Sequence, residues 1–158
     1  RDGHMAILIG ETLGHLGQSA LLAEVFNRVE GDAPPVNLDA EKKHGRFILE
    51  NAAWVTACTD LSDGGLALAA FEMAEEAGVG VSLDTDDTAT LFGEDQARYL
   101  VACNFDQAEA LMAAAGNAAV PVACVGSFGG MTVRFGNSQA ELADLSKIFR
   151  SSFAAALT

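Results

Sequence analysis

The sequence predicts an α/β domain with one sheet covered by helices, and three observations carry that expectation. Short apolar runs of strand length alternate several times with segments of helical periodicity. Glycines punctuate many of the junctions between them. Half of the 158 residues are hydrophobic and a fifth are charged, which supplies one core of ordinary domain size.

In chain order, Arg1, Asp2, Gly3 and His4 precede Met5 and read as a cloning remnant, which puts a single domain at 5–158. Residues 6–9 form a strand that enters a glycine-rich loop at 10–18. Ser19 caps a helix whose apolar stripe is Leu21, Leu22, Val25, Phe26 and Val29, ended by Gly31 and the stiff Pro34-Pro35 connector. Asp39 caps a second helix with Phe47, Ile48, Leu49 and Ala52 on its apolar side. Residues 54–58 read as a buried strand, 60–65 as a polar loop, and 67–77 as a strong helix stopped by Gly78. A strand at 79–83, an acidic loop at 84–90, a helical turn near Gly93 and a strand at 99–103 follow. Asp106 caps a helix to Ala115. Residues 120–125 form a strand, 126–130 a turn, 131–135 a strand and 141–156 the last helix.

Charge excludes whole classes of function. The net charge is −13, and such a surface repels nucleic-acid phosphates and anionic lipid heads, so neither nucleic acid nor membrane is an expected partner. No apolar run reaches the 18 residues of a membrane-spanning helix. A phosphorylated ligand would need backbone N–H groups, a metal ion or a donated basic residue to offset the charge. Cys58, Cys103 and Cys124 sit among Ala and Val and read as three reduced core thiols of a cytosolic protein.

Three segments can carry chemistry. In Thr59-Asp60-Leu61-Ser62-Asp63-Gly64-Gly65-Leu66, Ser62 or Asp63 can cap the following helix, Gly64 and Gly65 permit close backbone approach, and Asp60 offers carboxylate oxygens to a cation such as magnesium. The alternative is a capped turn whose acids merely charge the first helical turn. The glycine-rich loop from Gly10 to Ser19 contains His15, either a general base or a hydrogen-bonded structural residue; with no nucleophile nearby the second is expected. His44 is expected on a solvated face. In Leu91-Phe92-Gly93-Glu94-Asp95-Gln96-Ala97-Arg98-Tyr99, Glu94 and Gln96 can face the same way. The alternative there is a solvated helix end with Arg98 in a surface ion pair.

Taken together and in order, Gly10-Glu11-Thr12 with Gly14-His15-Leu16-Gly17-Gln18-Ser19, then Asp60-Leu61-Ser62-Asp63-Gly64-Gly65-Leu66, then Leu91-Phe92-Gly93-Glu94 with Gln96 and Arg98-Tyr99, resemble the last domain of the phosphoribosylformylglycinamidine synthase family, synthetase subunit, in the aminoimidazole ribonucleotide synthetase superfamily. The resemblance runs from about Met5 to Gly130. It implies a mixed sheet covered by helices, like the C-terminal domain of that superfamily. It also implies part of a cytoplasmic ATP-dependent carbon–nitrogen ligase of purine biosynthesis, which turns formylglycinamide ribonucleotide, glutamine-derived ammonia and ATP into formylglycinamidine ribonucleotide, ADP and phosphate. ATP and magnesium are the implied cofactors. The implied partners are the N-terminal ATP-binding domains of the same enzyme, a glutaminase subunit and a small accessory subunit.

By the same resemblance, no catalytic residue falls in this chain, and the isolated chain is expected to be inactive. Asp60 corresponds to a metal ligand of the family's other C-terminal domain, and Glu94, Asp95 and Gln96 to its substrate-contacting run. Ser62, Asp63, Gly64 and Gly65 would face nucleotide phosphate. The sequence departs from the family pattern at Leu13, Thr59 and Asp95. Two further readings stay open: a stand-alone nucleotide- or phosphate-binding domain, and a structural half that would expose an apolar patch to its partner.

Overall fold

A computed structural model describes residues 1–156. Seven strands form one mixed sheet: β1 (His4–Ile9), β2 (Ala57–Asp60), β3 (Val81–Leu83), β4 (Tyr99–Cys103), β5 (Val122–Phe128), β6 (Thr132–Phe135) and β7 (Ser138–Glu141). Their spatial order is β2-β4-β1-β5-β3-β6-β7; β3 and β6 run parallel and every other neighbouring pair is antiparallel. Among the described residues, five α-helices flank the sheet: α1 (Leu38–Glu50), α2 (Gly65–Ala77), α3 (Thr88–Phe92), α4 (Phe105–Ala118) and α5 (Leu142–Ala156).

The period-2 alternation of β1 divides the core. Ala6 and Leu8 face one side, where they pack with Leu66, Ala70 and Ala74 of α2 and with Leu142, which opens α5. Ile7 and Ile9 face the other, against Phe47 of α1 and Leu111 and Ala115 of α4. Burying one large side chain such as Leu66 or Leu100 completely contributes about 1.5–3 kcal/mol. On the first side Phe71 and Phe149 meet edge to face, with centroids 5.4 Å apart, and so tie α5 to α2.

Several boundaries differ from the sequence expectation, each for a local reason. The stripe beginning at Leu21 makes only a π-helical turn, Leu21–Val25, because nothing among the described residues covers Val25, Phe26 or Val29, which stand exposed. Asn37, not Asp39, caps α1, and Asn104, not Asp106, caps α4 through a reciprocal capping box with Gln107. The strand expected at 54–58 is a 3-10 turn, Ala52–Trp54, followed by β2, and β2 is an exposed edge rather than a buried strand. The 126–130 turn is no hairpin: residues to Phe128 belong to β5, and β3 lies between β5 and β6, with Gly80 and Gly130 bonded across the crossover. β7 was not expected; it pairs with β6 as a hairpin.

Residues 1–4 are built into the sheet end. His4 opens β1, the Gly3 N–H donates to Phe128 O, and Asp2 Oδ1 accepts from the Gly130 N–H. Cys103 is buried, but Cys58 and Cys124 are exposed, because β2 is an edge and Cys124 lies on a part of β5 that stays open to solvent.

Candidate functional site

The three segments singled out in the sequence converge on the stretch between α3 and β4. Glu94 and Asp95 are buried there, at 9% and 5% exposure, beside Arg98 at 1%. Consecutive residues both point inward because this stretch is not extended strand: two residues on, Ala97 takes a positive φ of 57°. The expected surface ion pair of Arg98 is therefore replaced by a buried one.

Asp95 is wrapped by backbone. Its Oδ2 accepts the N–H groups of Leu13 and Gly14 at 3.0 and 2.9 Å, and its Oδ1 accepts that of His15 at 3.2 Å. The Arg98 guanidinium lies 3.8 Å from Oδ2 and donates in addition to the carbonyls of Asp95 and Gly93 and to Thr12 Oγ1. Burial pushes the Arg98 pKa down from its ordinary value, and the Asp95 charge works against that shift.

Glu94 joins the other two segments. Its Oε1 accepts the Gly64 N–H at 2.9 Å and the Ala20 N–H at 2.8 Å, while its own N–H donates to His15 O. Five backbone N–H groups from the two glycine-bearing loops thus end on the chain's own carboxylates. In this fold Glu94 and Asp95 anchor loops.

Gly64 and Gly65 serve close packing. Gly64 has φ +77°, and its N–H is held by Glu94; the Gly65 N–H donates to Ser62 O at 3.0 Å. Gly65 has φ +60°, and a Cβ there would sit 2.4 Å from Gly93 O, so only glycine lets α2 start against the α3 turn. Asp60, Ser62, Asp63 and Gln96 remain exposed, and Gln96 Nε2 donates to Glu94 O at 3.3 Å. Among the described residues, no three or more His, Cys, Asp or Glu side chains are grouped to hold a metal ion.

The two remaining histidines are structural. His15 Nε2 meets Asp32 O at 2.6 Å. His44, expected on a solvated face, is 5% exposed, with Nδ1 2.7 Å from Ala97 O. Glu41, one turn earlier on α1, accepts the Ala97 N–H at 2.7 Å, so α1 grips both polar groups of the residue with positive φ. Sequence reasoning missed this clamp; the i, i+3 spacing of Glu41 and His44 was its only trace. Beside it opens a cleft of about 1050 Å³, lined by Leu13, Asn37, His44, Asp95 and Gln96 among others.

Residues 1–131 match the family described as AIR synthase related protein, C-terminal domain. The chain is 70% identical over 157 residues to the phosphoribosylformylglycinamidine synthase subunit PurL of Roseobacter denitrificans, and 68% identical over 157 residues to that of a Ruegeria species. Each match covers 99% of this chain and 22% of the relative, so the chain spans about a fifth of the length of these relatives. Among solved structures, Thermotoga maritima PurL complexed with FGAR superposes with a TM-score of 0.74 at 18% identity, over 92% of this chain and 28% of that one. The same protein complexed with ATP gives 0.67 at 21% identity, and PurLQS from that organism 0.67 at 19%, each over 92% of this chain and 26% of that one. At such identities the superpositions establish the fold: one mixed sheet flanked by helices.

Proposed function

The chain belongs to the AIR synthase related protein C-terminal domain family, and from that premise we propose that it is the C-terminal domain of a PurL-type phosphoribosylformylglycinamidine synthase. The observation that carries this reading is the 70% identity to a PurL subunit over nearly the whole chain. The whole protein would then join ammonia to formylglycinamide ribonucleotide with ATP, in the cytoplasm, releasing formylglycinamidine ribonucleotide, ADP and phosphate. The ATP and ADP complexes of the Thermotoga relative support ATP as its nucleotide. The PurLQS assembly of that organism supports partner subunits; we assign these as a glutaminase and a small accessory subunit, joined by the N-terminal ATP-binding domains of the same protein.

In that protein the work of this chain is positional. Asp60, Ser62, Asp63 and Gln96 are the exposed polar residues of the two motifs and are available to ligand or to a neighbouring domain. Gly64 and Gly65 shape the backbone of the first of these motifs, Glu94 locks it through the Gly64 N–H, and Asp95 locks the glycine-rich loop at Leu13, Gly14 and His15. The donors present do not by themselves fit magnesium: Asp60 would need ligands from elsewhere in the protein. Against the stand-alone phosphate-binding reading, the N–H groups of Leu13, Gly14, His15, Ala20 and Gly64 are already bonded to Asp95 and Glu94.

The test is ADP release by the full-length protein that carries this chain. Turnover should require formylglycinamide ribonucleotide and ammonium together, and the 158-residue chain alone should give none. A full-length protein indifferent to that ribonucleotide would overturn the assignment.

A further inference from the structure

Three consecutive N–H groups, those of Leu13, Gly14 and His15, converge on one carboxylate within 2.9–3.2 Å. Successive amides turned to one point form a concave anion site whose partial positive charges sum at its centre. The buried Arg98 guanidinium stands 3.8 Å from Oδ2 of that carboxylate, Asp95, and also holds Thr12, at the entrance of the loop. The occupant belongs to the chain, but it is not sealed in: Asp95 and Leu13 both line the cleft of about 1050 Å³, so the concavity opens toward solvent once the carboxylate is removed.

We propose that the backbone of Leu13, Gly14 and His15 with Arg98 is an oxyanion-binding site, and that Asp95 is its built-in anion. Asp95 has two consequences. It orders the glycine-rich loop with no external ligand, since three otherwise unpaired donors are satisfied from within. It also decides what the cleft accepts: with the carboxylate seated, the mouth of the site presents negative charge and refuses a free carboxylate or phosphate. Asp95 is thus a specificity-determining residue, and replacing it should convert the closed loop into one that takes a small oxyanion from solution. This inference is independent of the ligase reading, because it concerns only contacts within the chain.

The test is chemical rescue of Asp95→Gly, read as thermal melting in sodium formate, in sodium phosphate and in sodium chloride of matched ionic strength. In chloride the variant should melt roughly 5 °C or more below the wild type. Formate, which replaces the missing carboxylate group, should restore much of that loss along a saturating curve, while the wild type gains no more than it does in chloride. Phosphate tests tetrahedral oxyanions: rescue by formate alone restricts the site to carboxylates, and rescue by both makes it general. A variant that responds to neither anion beyond the chloride control overturns the proposal, as does a wild type that responds equally. Should Asp95→Gly be unfolded in chloride, recovery of its circular dichroism on adding formate is the same test. Amide hydrogen exchange on the wild type provides a check without mutation: slow exchange at Leu13, Gly14 and His15 is expected, and exchange at the free-peptide rate there overturns the site.

Discussion

Glu94 and Gly64 lie 30 residues apart in the sequence, and the carboxylate of one accepts the backbone N–H of the other at 2.9 Å. The same oxygen accepts the Ala20 N–H at 2.8 Å, so one side chain fixes the start of α2 relative to the glycine-rich loop.

Replacing Glu94 by Ala should therefore loosen both loops at once. Two partly buried donors lose their acceptor, each at a cost of about 1–3 kcal/mol. Glu94→Gln keeps an acceptor oxygen without the charge and should lose less. Urea unfolding of the two variants beside the wild type measures the order; equal stability of Glu94→Ala and wild type would remove Glu94 from its anchoring role.

Gly65→Ala tests the close approach of α2 to the α3 turn. A Cβ 2.4 Å from Gly93 O, on a backbone with φ +60°, forces the two segments apart. The expected loss is about 2 kcal/mol or more, whereas the same change at an unstrained position would be neutral or stabilising. Gly116, inside α4 and with open space about it, is the control: Gly116→Ala should raise the unfolding midpoint.

The grip of α1 on Ala97 predicts an unequal pair. His44→Ala removes a buried ring together with its bond to Ala97 O, and should cost about 2–4 kcal/mol. Glu41→Gln retains an acceptor for the Ala97 N–H and should cost about 1 kcal/mol or less. A double-mutant cycle should give a non-zero coupling, because both side chains hold one peptide. Strict additivity would mean that they act separately.

His4 gives the stability a dependence on pH. Burial first, with the positive charge of Arg1 adding to it, holds its pKa below the ordinary 6.5. The unfolded chain therefore binds its proton at higher pH than the folded chain does. Stability contributed by neutral His4 is fully present above 6.5 and is lost as pH falls from there through the lower folded value. Urea midpoints at pH 7.5 and in steps below 6.5 should fall more steeply for the wild type than for His4→Gln. Parallel profiles would assign the slope to other groups.

What the sequence determined by itself is what short-range pattern encodes. The alternation of apolar runs with helical stripes gave one helix-covered sheet, β4 was expected at 99–103 as observed, and the αL stop at Gly78 was readable because glycine tolerates φ +65° without strain. The three motifs, read in order, led to the family. Tertiary structure decided the rest. Periodicity marks which side of a segment is apolar but not what covers it, so the stripe from Leu21 to Val29 promised a helix that the fold leaves as one π turn. Nor does a carboxylate in a sequence announce its partner: those of Glu94 and Asp95 are backbone N–H groups 30 to 82 residues away. Only the pairing of β4 with β1 and β2 brings such groups together, and once they are out of water a charge and two or three amide dipoles have no better partners than each other.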